Sequence, residues 1–275
     1  MISNEERVRV TIEDGVADVK LVRGDKMNAL DPAMFDALLT TGDQLKEDKS
    51  VRAVVLSGEG RAFCAGLDSS NFGKMAGGER SQGTQENDGT GRLEKRTKGI
   101  ANDPQYAVWV WRDIPVPVIA AVHGVSFGGG FQLALGADMR YAAPGTRFSV
   151  MEIKWGLVPD MAGTQLMRHL AREDIVRELS YTGRIFDTDE ALEYGLITRK
   201  CDDPYQAALE TAREIASKNP DAIRANKRIF NDAVYTDAKS GLLMESLEQD
   251  KLIGSPNQIE AVKSQLEQRA ANFKD

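Results

Sequence analysis

Cysteine and histidine are both scarce, with two of each in 275 residues. Cys64 and Cys201 are too few and too far apart in the chain to propose a disulfide framework or a metal knuckle, and both read as reduced thiols. With only His123 and His169 available, no His-rich metal constellation can be assembled, and a Ser-His-acid triad would have to draw on one of these two. Basic charge is also short. Lys and Arg number 35 against 42 Asp and Glu, a formal net charge of -7, which argues against a nucleic-acid binder. An anionic small ligand stays open, because it needs only a local cluster of Lys or Arg and a few backbone N–H groups. No apolar run reaches the roughly 18 residues of a membrane span. The first residues, MISNEERVRVTIEDG, have neither an apolar signal region nor an Arg-rich amphipathic character. The expectation is therefore a cytoplasmic chain with no membrane contact, no nucleic-acid partner and no metal. Its 41% apolar residues suffice for one sizeable core.

What is present reads as alternating strands and helices. RVRVTIEDGVADVKLV alternates about Asp14-Gly15, the pattern of a β-hairpin whose turn tolerates positive φ. In the segment after it, Asp31 is placed to cap a helix, Pro32 fits its first turn, and Met34, Leu38, Leu39 and Leu45 form an apolar stripe. VRAVVLSG (51–58) and VIAAVHG read as buried strands, and GGGFQLALGAD starts a helix straight after its glycines. This order predicts an α/β protein with mostly parallel strands. Residues 1–200 are expected to form the core, with a flexible Gly- and Ser-rich insertion at about 69–99. Residues 201–275 read as amphipathic helices without intervening strands, a region suited to oligomerisation.

Two acids stand eight positions apart in FSVMEIKWGLVPDMAGTQ: Glu152 and Asp160. Glu152 interrupts an otherwise apolar stretch, which is unusual for a carboxylate that is neither paired nor used. Asp160 follows Pro159, so a helix N-cap is a natural reading beside a proton-transfer role. Two glycine turns, AFCAGLD (62–68) and HGVSFGGGFQLALGAD (123–138), complete the pattern. Backbone N–H groups released at the second, where Gly128, Gly129 and Gly130 precede a helix, can converge on a negative oxygen. Such preorganised donors stabilise a developing enolate. Tight strand-to-helix packing explains the glycines equally well. His123, His169, Asp68 and Asp138 read as structural or surface groups, and Trp155 and Met151 as pocket or core packing.

Taken together, these segments resemble the crotonase superfamily, the enoyl-CoA hydratase/isomerase fold, over nearly the whole chain. The likeness runs from the hairpin through IPVPVIAAVHGVSFGGGFQLALGADMRYA and GLVPDMAGTQ to EALEYGLI and the terminal RAANFKD. The resemblance implies a spiral of turns, each of two strands and a helix, with C-terminal helices that assemble a homo-trimer or dimer of trimers. It implies an acyl-CoA thioester substrate and no cofactor beyond the coenzyme A that the substrate carries. It places the oxyanion donors on the backbone of Leu67 and Gly129, and coenzyme A contacts near Lys26 and Met27 in RGDKMNAL and around Ala62, Cys64 and Ala65. In similar hydratases two glutamates activate water. One matches Glu152, but the other position holds Gln132, an amide that cannot carry a proton near neutral pH. Similar dienoyl-CoA isomerases pair the glutamate with an aspartate eight residues on, as Asp160 is here, and normally have a further aspartate where Gln132 stands. The pattern thus favours double-bond isomerisation. A single-base enoyl-CoA isomerase, a hydratase with its second glutamate substituted, and a non-catalytic acyl-CoA-binding protein remain as alternatives.

Overall fold

The computed structural model describes residues 6–70 and 93–275. Most of the insertion expected at 69–99 lies outside them. The chain opens with a hairpin of β1 (Val8–Glu13) and β2 (Val16–Leu21), paired from Val8↔Leu21 to Glu13↔Val16. Its two-residue turn puts Asp14 at φ 49° and Gly15 at φ 79°. Both central residues are left-handed, which matches the natural twist of the strands. Helix α1 (Pro32–Glu47) begins where expected: Asp31 accepts the Met34 N–H and Pro32 occupies the first turn. Met34, Leu38 and Leu45 are buried, and Leu39 packs against their cluster.

The spiral is built by repetition. Strand β3 (Ala53–Gly58) is followed, beyond the undescribed residues, by α2 (Asp103–Asp113). Then come β4 (Val118–Val122), β5 (Val125–Phe127) and α3 (Gly129–Leu135). Next are β6 (Met139–Ala142), β7 (Arg147–Ser149), a 3₁₀ turn (Glu152–Trp155) and α4 (Gly163–Met167). Each turn contributes one strand to a long sheet ordered β1-β2-β3-β4-β6-β8, with β8 at Arg199–Lys200. The intervening strands β5 and β7 form a separate parallel pair, extended by an isolated bridge from Cys64 to Ser126. Apart from the first hairpin, every pairing in the long sheet is parallel. This is the α/β spiral of repeated ββα turns anticipated from the sequence.

Both faces of the long sheet are covered, as a parallel sheet requires. Alternation along each strand sends Val19, Leu21, Val54, Leu56 and Ala120 into a large cluster with Met34, Leu38, Trp111 and Phe131. The opposite face, with Val16, Ala53, Val55 and Ile119, meets Ala208 and Ala212 of α7 (Pro204–Ala216). Helix α7 therefore lies on the sheet, although a division at residue 200 would group it with the C-terminal helices. Between β7 and β8 run α5 (Glu173–Thr182) and α6 (Thr188–Glu193). The chain closes with α8 (Pro220–Ala233), α9 (Ala238–Leu252) and α10 (Pro256–Leu266). These three leave large apolar side chains exposed, among them Phe230, Leu242, Leu243, Leu247 and Leu266, a surface suited to association. No helix among the described residues is long and apolar enough to cross a membrane.

Candidate active site

The first glycine turn is laced to the segment RGDKMNAL, residues 23–30. Ala65 donates its N–H to the Met27 carbonyl at 2.9 Å, Leu30 to Gly66 at 2.8 Å, and Asp68 to Leu30 at 3.1 Å. Leu30 and Leu67 thus form a short parallel bridge. Asn28, fully buried at φ 53°, holds the base of this arrangement. Its amide donates to the carbonyls of Glu59 and Ala62, and its Oδ1 accepts the Arg23 N–H. Arg23 in turn pairs with Asp68 at 2.5 Å and with Asp31 at 3.4 Å, while Arg7 pairs with Asp31 at 2.9 Å. Hydrogen bonds from Ser70 and the Arg23 guanidinium pull the Asp68 carboxyl down to about 2. Sequence reading singled out neither Asn28 nor Arg23. The signal for Asn28 was its residue type, since asparagine tolerates left-handed backbone; for Arg23 there was none.

The second glycine turn folds against the first. A Cβ on Gly66, at φ 87°, would stand 2.5 Å from the Phe127 carbonyl oxygen and 3.5 Å from the Gly129 nitrogen. A Cβ on Gly130 would meet the Cys64 carbonyl at 2.3 Å. Only glycine permits this approach at either position. Gly129 opens α3, where the first N–H groups have no partner within the helix. Neither Leu67 nor Gly129 donates its N–H to a partner among the described residues. Two neighbouring donors are therefore free to meet an oxygen.

Gln132 and Glu152 meet beside these donors. The Gln132 Nε2 donates to Glu152 Oε1 at 2.6 Å, and its Oε1 accepts the N–H groups of Met161 and Gly163, each at 2.9 Å. Because Oε1 already accepts two backbone donors, the amide can face only one way, with its NH₂ toward the carboxylate. Glu152 Oε1 also lies 3.4 Å from where a Cβ on Gly128 would stand, which sets the carboxylate against the second glycine turn. The Glu152 Oε2 is buried and has no hydrogen-bond partner among the described residues. Burial holds this carboxyl above its ordinary range. Its own backbone N–H and the Gln132 amide oppose the rise, and the negative charge of Asp160 adds to it.

Asp160 is exposed, on the turn between the 3₁₀ segment and α4. It does not cap that helix. The N-cap is Ala162, in left-handed conformation at φ 65°, with no side-chain cap bond, so the capping alternative is corrected. The turn's geometry comes instead from Gln132, which accepts the N–H groups of Met161 and Gly163, the residues on either side of Ala162. Trp155, expected in pocket or core packing, is 46% exposed and so is not core.

Of the residues assigned to coenzyme A, Lys26 is exposed at the end of a 3₁₀ turn (Gly24–Lys26) and Met27 is half-buried at φ 52°. Lys26 has no ion-pair partner among the described residues. Ala62 and Cys64 are fully covered, so they shape the turn, and only Ala65 keeps surface to offer a ligand. The Cys64 thiol donates to the Asn28 carbonyl and burial pushes it up to about 12, which excludes a ready nucleophile. His123 bonds the Gly60 carbonyl, His169 is exposed, and Asp138 anchors the Val118 N–H and the buried Lys227 ammonium. Each holds structure or surface, as expected. Among the described residues no three His, Cys, Asp or Glu side chains are grouped as a metal site would need.

An α/β spiral whose glycine turns present paired N–H groups beside a buried carboxylate is suited to chemistry through a stabilised oxyanion. The chain belongs to the enoyl-CoA hydratase/isomerase family, whose description matches residues 11–275. Among curated relatives, the methylglutaconyl-CoA hydratase of Mus musculus is 30% identical, over 98% of this chain and 84% of the relative. The human Delta(3,5)-Delta(2,4)-dienoyl-CoA isomerase is 35% identical, over 81% of this chain and 67% of the relative. Among solved structures, enoyl-CoA hydratase from Bacillus anthracis superposes with a TM-score of 0.84 at 28% identity, covering 98% of this chain and 99% of that one. Hydratases and an isomerase therefore stand side by side among the relatives, and overall likeness does not choose between them.

Proposed function

We propose that this protein is an acyl-CoA double-bond isomerase working through a thioester enolate. The observation that carries the reading is the arrangement about Gln132: among the described residues an amide, not a second acid, faces Glu152. The other buried carboxylate near the turns, Asp68, is paired with Arg23. In this reading the thioester oxygen accepts from the N–H groups of Leu67 and Gly129. Their donation makes the C2 proton acidic enough for a carboxylate to remove. The unpartnered Oε2 of Glu152 takes that proton. With a 3,5-dienoyl-CoA the resulting trienolate is reprotonated at C6, giving the 2,4-isomer, and in this reading Asp160 serves the remote carbon. Lys26, with Met27 and Ala65, meets the coenzyme A moiety. The apolar surfaces of α8 to α10 assemble a homo-trimer or a dimer of trimers, and the chain works in the cytoplasm.

Hydration is the second reading, because the methylglutaconyl-CoA hydratase matches over 98% of this chain and the dienoyl-CoA isomerase, though more identical, over 81%. Proton NMR in D₂O separates the two. Incubated with 3,5-dienoyl-CoA, an isomerase of this type yields the 2,4-isomer with deuterium at C6. Rapid formation of 3-hydroxyacyl-CoA from a 2-enoyl-CoA, with the diene untouched, would overturn the proposal in favour of hydration.

A further inference from the structure

Gln132 lies at a junction that neither acid creates alone. One end of its amide holds a carboxylate oxygen of Glu152; the other holds two peptides of the turn that follows Asp160. Both ends are buried, Gln132 being 1% exposed. The site is closely packed around it, since a Cβ on Gly163 would stand 2.6 Å from Gln132 Oε1. A methionine would fill similar space but could neither accept from the turn nor donate to Glu152. A glutamate would still accept both N–H groups but could not donate to the carboxylate while ionised.

We propose that Gln132 is a positioning residue that makes Glu152 a one-ended base, by pinning Oε1, leaving Oε2 as the sole proton acceptor, and tying the Asp160 turn to the same amide. The proposal takes Glu152 as the base from the reading above. An amide donor stabilises the ionised carboxylate without competing for its proton. Gln132 thus keeps a desolvated glutamate ionisable and fixes which oxygen is used. Among the described residues, the other charged groups nearby are committed elsewhere or exposed. On the packed helix α5, Glu173 pairs with Arg177, Asp174 with Arg172, and Glu178 with Arg184. Lys154, on the same 3₁₀ turn as Glu152, is exposed over the Trp155 ring. Asp160 is the charged neighbour that acts on Glu152.

The test reads Glu152 directly and needs no substrate, so it stands apart from whether dienes are turned over. Protein labelled with ¹³C at glutamate carboxyls is titrated by NMR, with the Glu152 signal assigned by its loss in Glu152→Gln. In Gln132→Met the Glu152 midpoint should rise by about one pH unit, the scale of a lost hydrogen bond to the charged form. In Gln132→Glu two carboxyls within bonding distance should titrate in two separated steps, the upper one more than about one unit above the wild-type midpoint. A Gln132 that only braces the turn would lower the melting temperature of Gln132→Met, through the loss of the two N–H bonds it accepts, and leave the Glu152 midpoint in place. That result overturns the proposal. Should Gln132→Met fail to fold, Gln132→Glu, which keeps the acceptor for both N–H groups, decides alone: a single unshifted midpoint refutes the positioning role.

Discussion

Replacing Gly66 by alanine tests the proposed oxyanion hole by separating its two halves. The residue sits at φ 87°, so any side chain there incurs left-handed strain of about 1 kcal/mol. The added Cβ would also lie 2.5 Å from the Phe127 carbonyl oxygen, a backbone atom with no rotamer to change. Ordinary contact requires the two strands of chain to part by about 0.9 Å, and overpacking of this kind costs about 1–3 kcal/mol. The total is about 2–4 kcal/mol. Gly145→Ala is the control: its φ is 73°, but a Cβ there meets nothing within 4 Å. It should lose only the strain of about 1 kcal/mol. Urea unfolding of both variants, read against wild type, isolates the contact as the difference. The Phe127 peptide lies two residues before Gly129, so the same displacement should carry the Gly129 N–H away from the thioester oxygen. The loss of one such donor reduces kcat by about 10²–10³. If Gly66→Ala is destabilised no more than Gly145→Ala, the turns yield and the packing argument is wrong. If it is destabilised as calculated while kcat stays within about threefold, Gly129 does not polarise the substrate.

Other expectations follow from the same geometry. Glu152→Gln should lower kcat by at least about two orders of magnitude, and a loss under threefold would remove Glu152 from the chemistry. The same variant should be more stable than wild type at neutral pH. A raised folded-state pKa means that wild type loses stability as pH climbs from the unfolded value through the folded one. Thermal melts should show the gap closing below about pH 4, where the glutamate is neutral in both states. Asp160→Asn should abolish most turnover of a 3,5-dienoyl-CoA; an unaltered kcat would take it out of the mechanism. Asp68→Asn should cost about 1–2 kcal/mol at pH 7. The Asp68 carboxyl titrates near 2 in the folded protein against 3.8 ordinarily, so its contribution is full above about pH 4. It fades as the pH falls toward 2, and a gap that is the same at pH 3 and pH 7 would deny the Arg23 pairing its role.

Much of this arrangement is legible in the chain alone, because local chemistry dictates it. Asp14-Gly15 must turn, Asp31-Pro32 must start a helix, and uninterrupted apolar runs such as VIAAV must be buried strands. The order of these elements was enough to anticipate an α/β protein with parallel strands and to notice Glu152. The family resemblance carried by the motifs around the two glycine turns implied the spiral and singled out Gln132, Leu67 and Gly129. Tertiary structure decided the rest, since each remaining feature depends on a partner distant in sequence. Asp160 looked like a cap from its neighbours, yet the turn is held by an amide 28 positions earlier and the cap falls to Ala162. Ala62 and Cys64 looked like ligand lining, but the approach of the Asn28 segment and the second glycine turn covers them. Helix α7 belongs to the sheet because the strands' outward face is apolar and needs a cover. Above all, no pattern in the chain could say which way the Gln132 amide points. Two peptide N–H groups brought to its oxygen decide that, and they leave its NH₂ to hold the carboxylate.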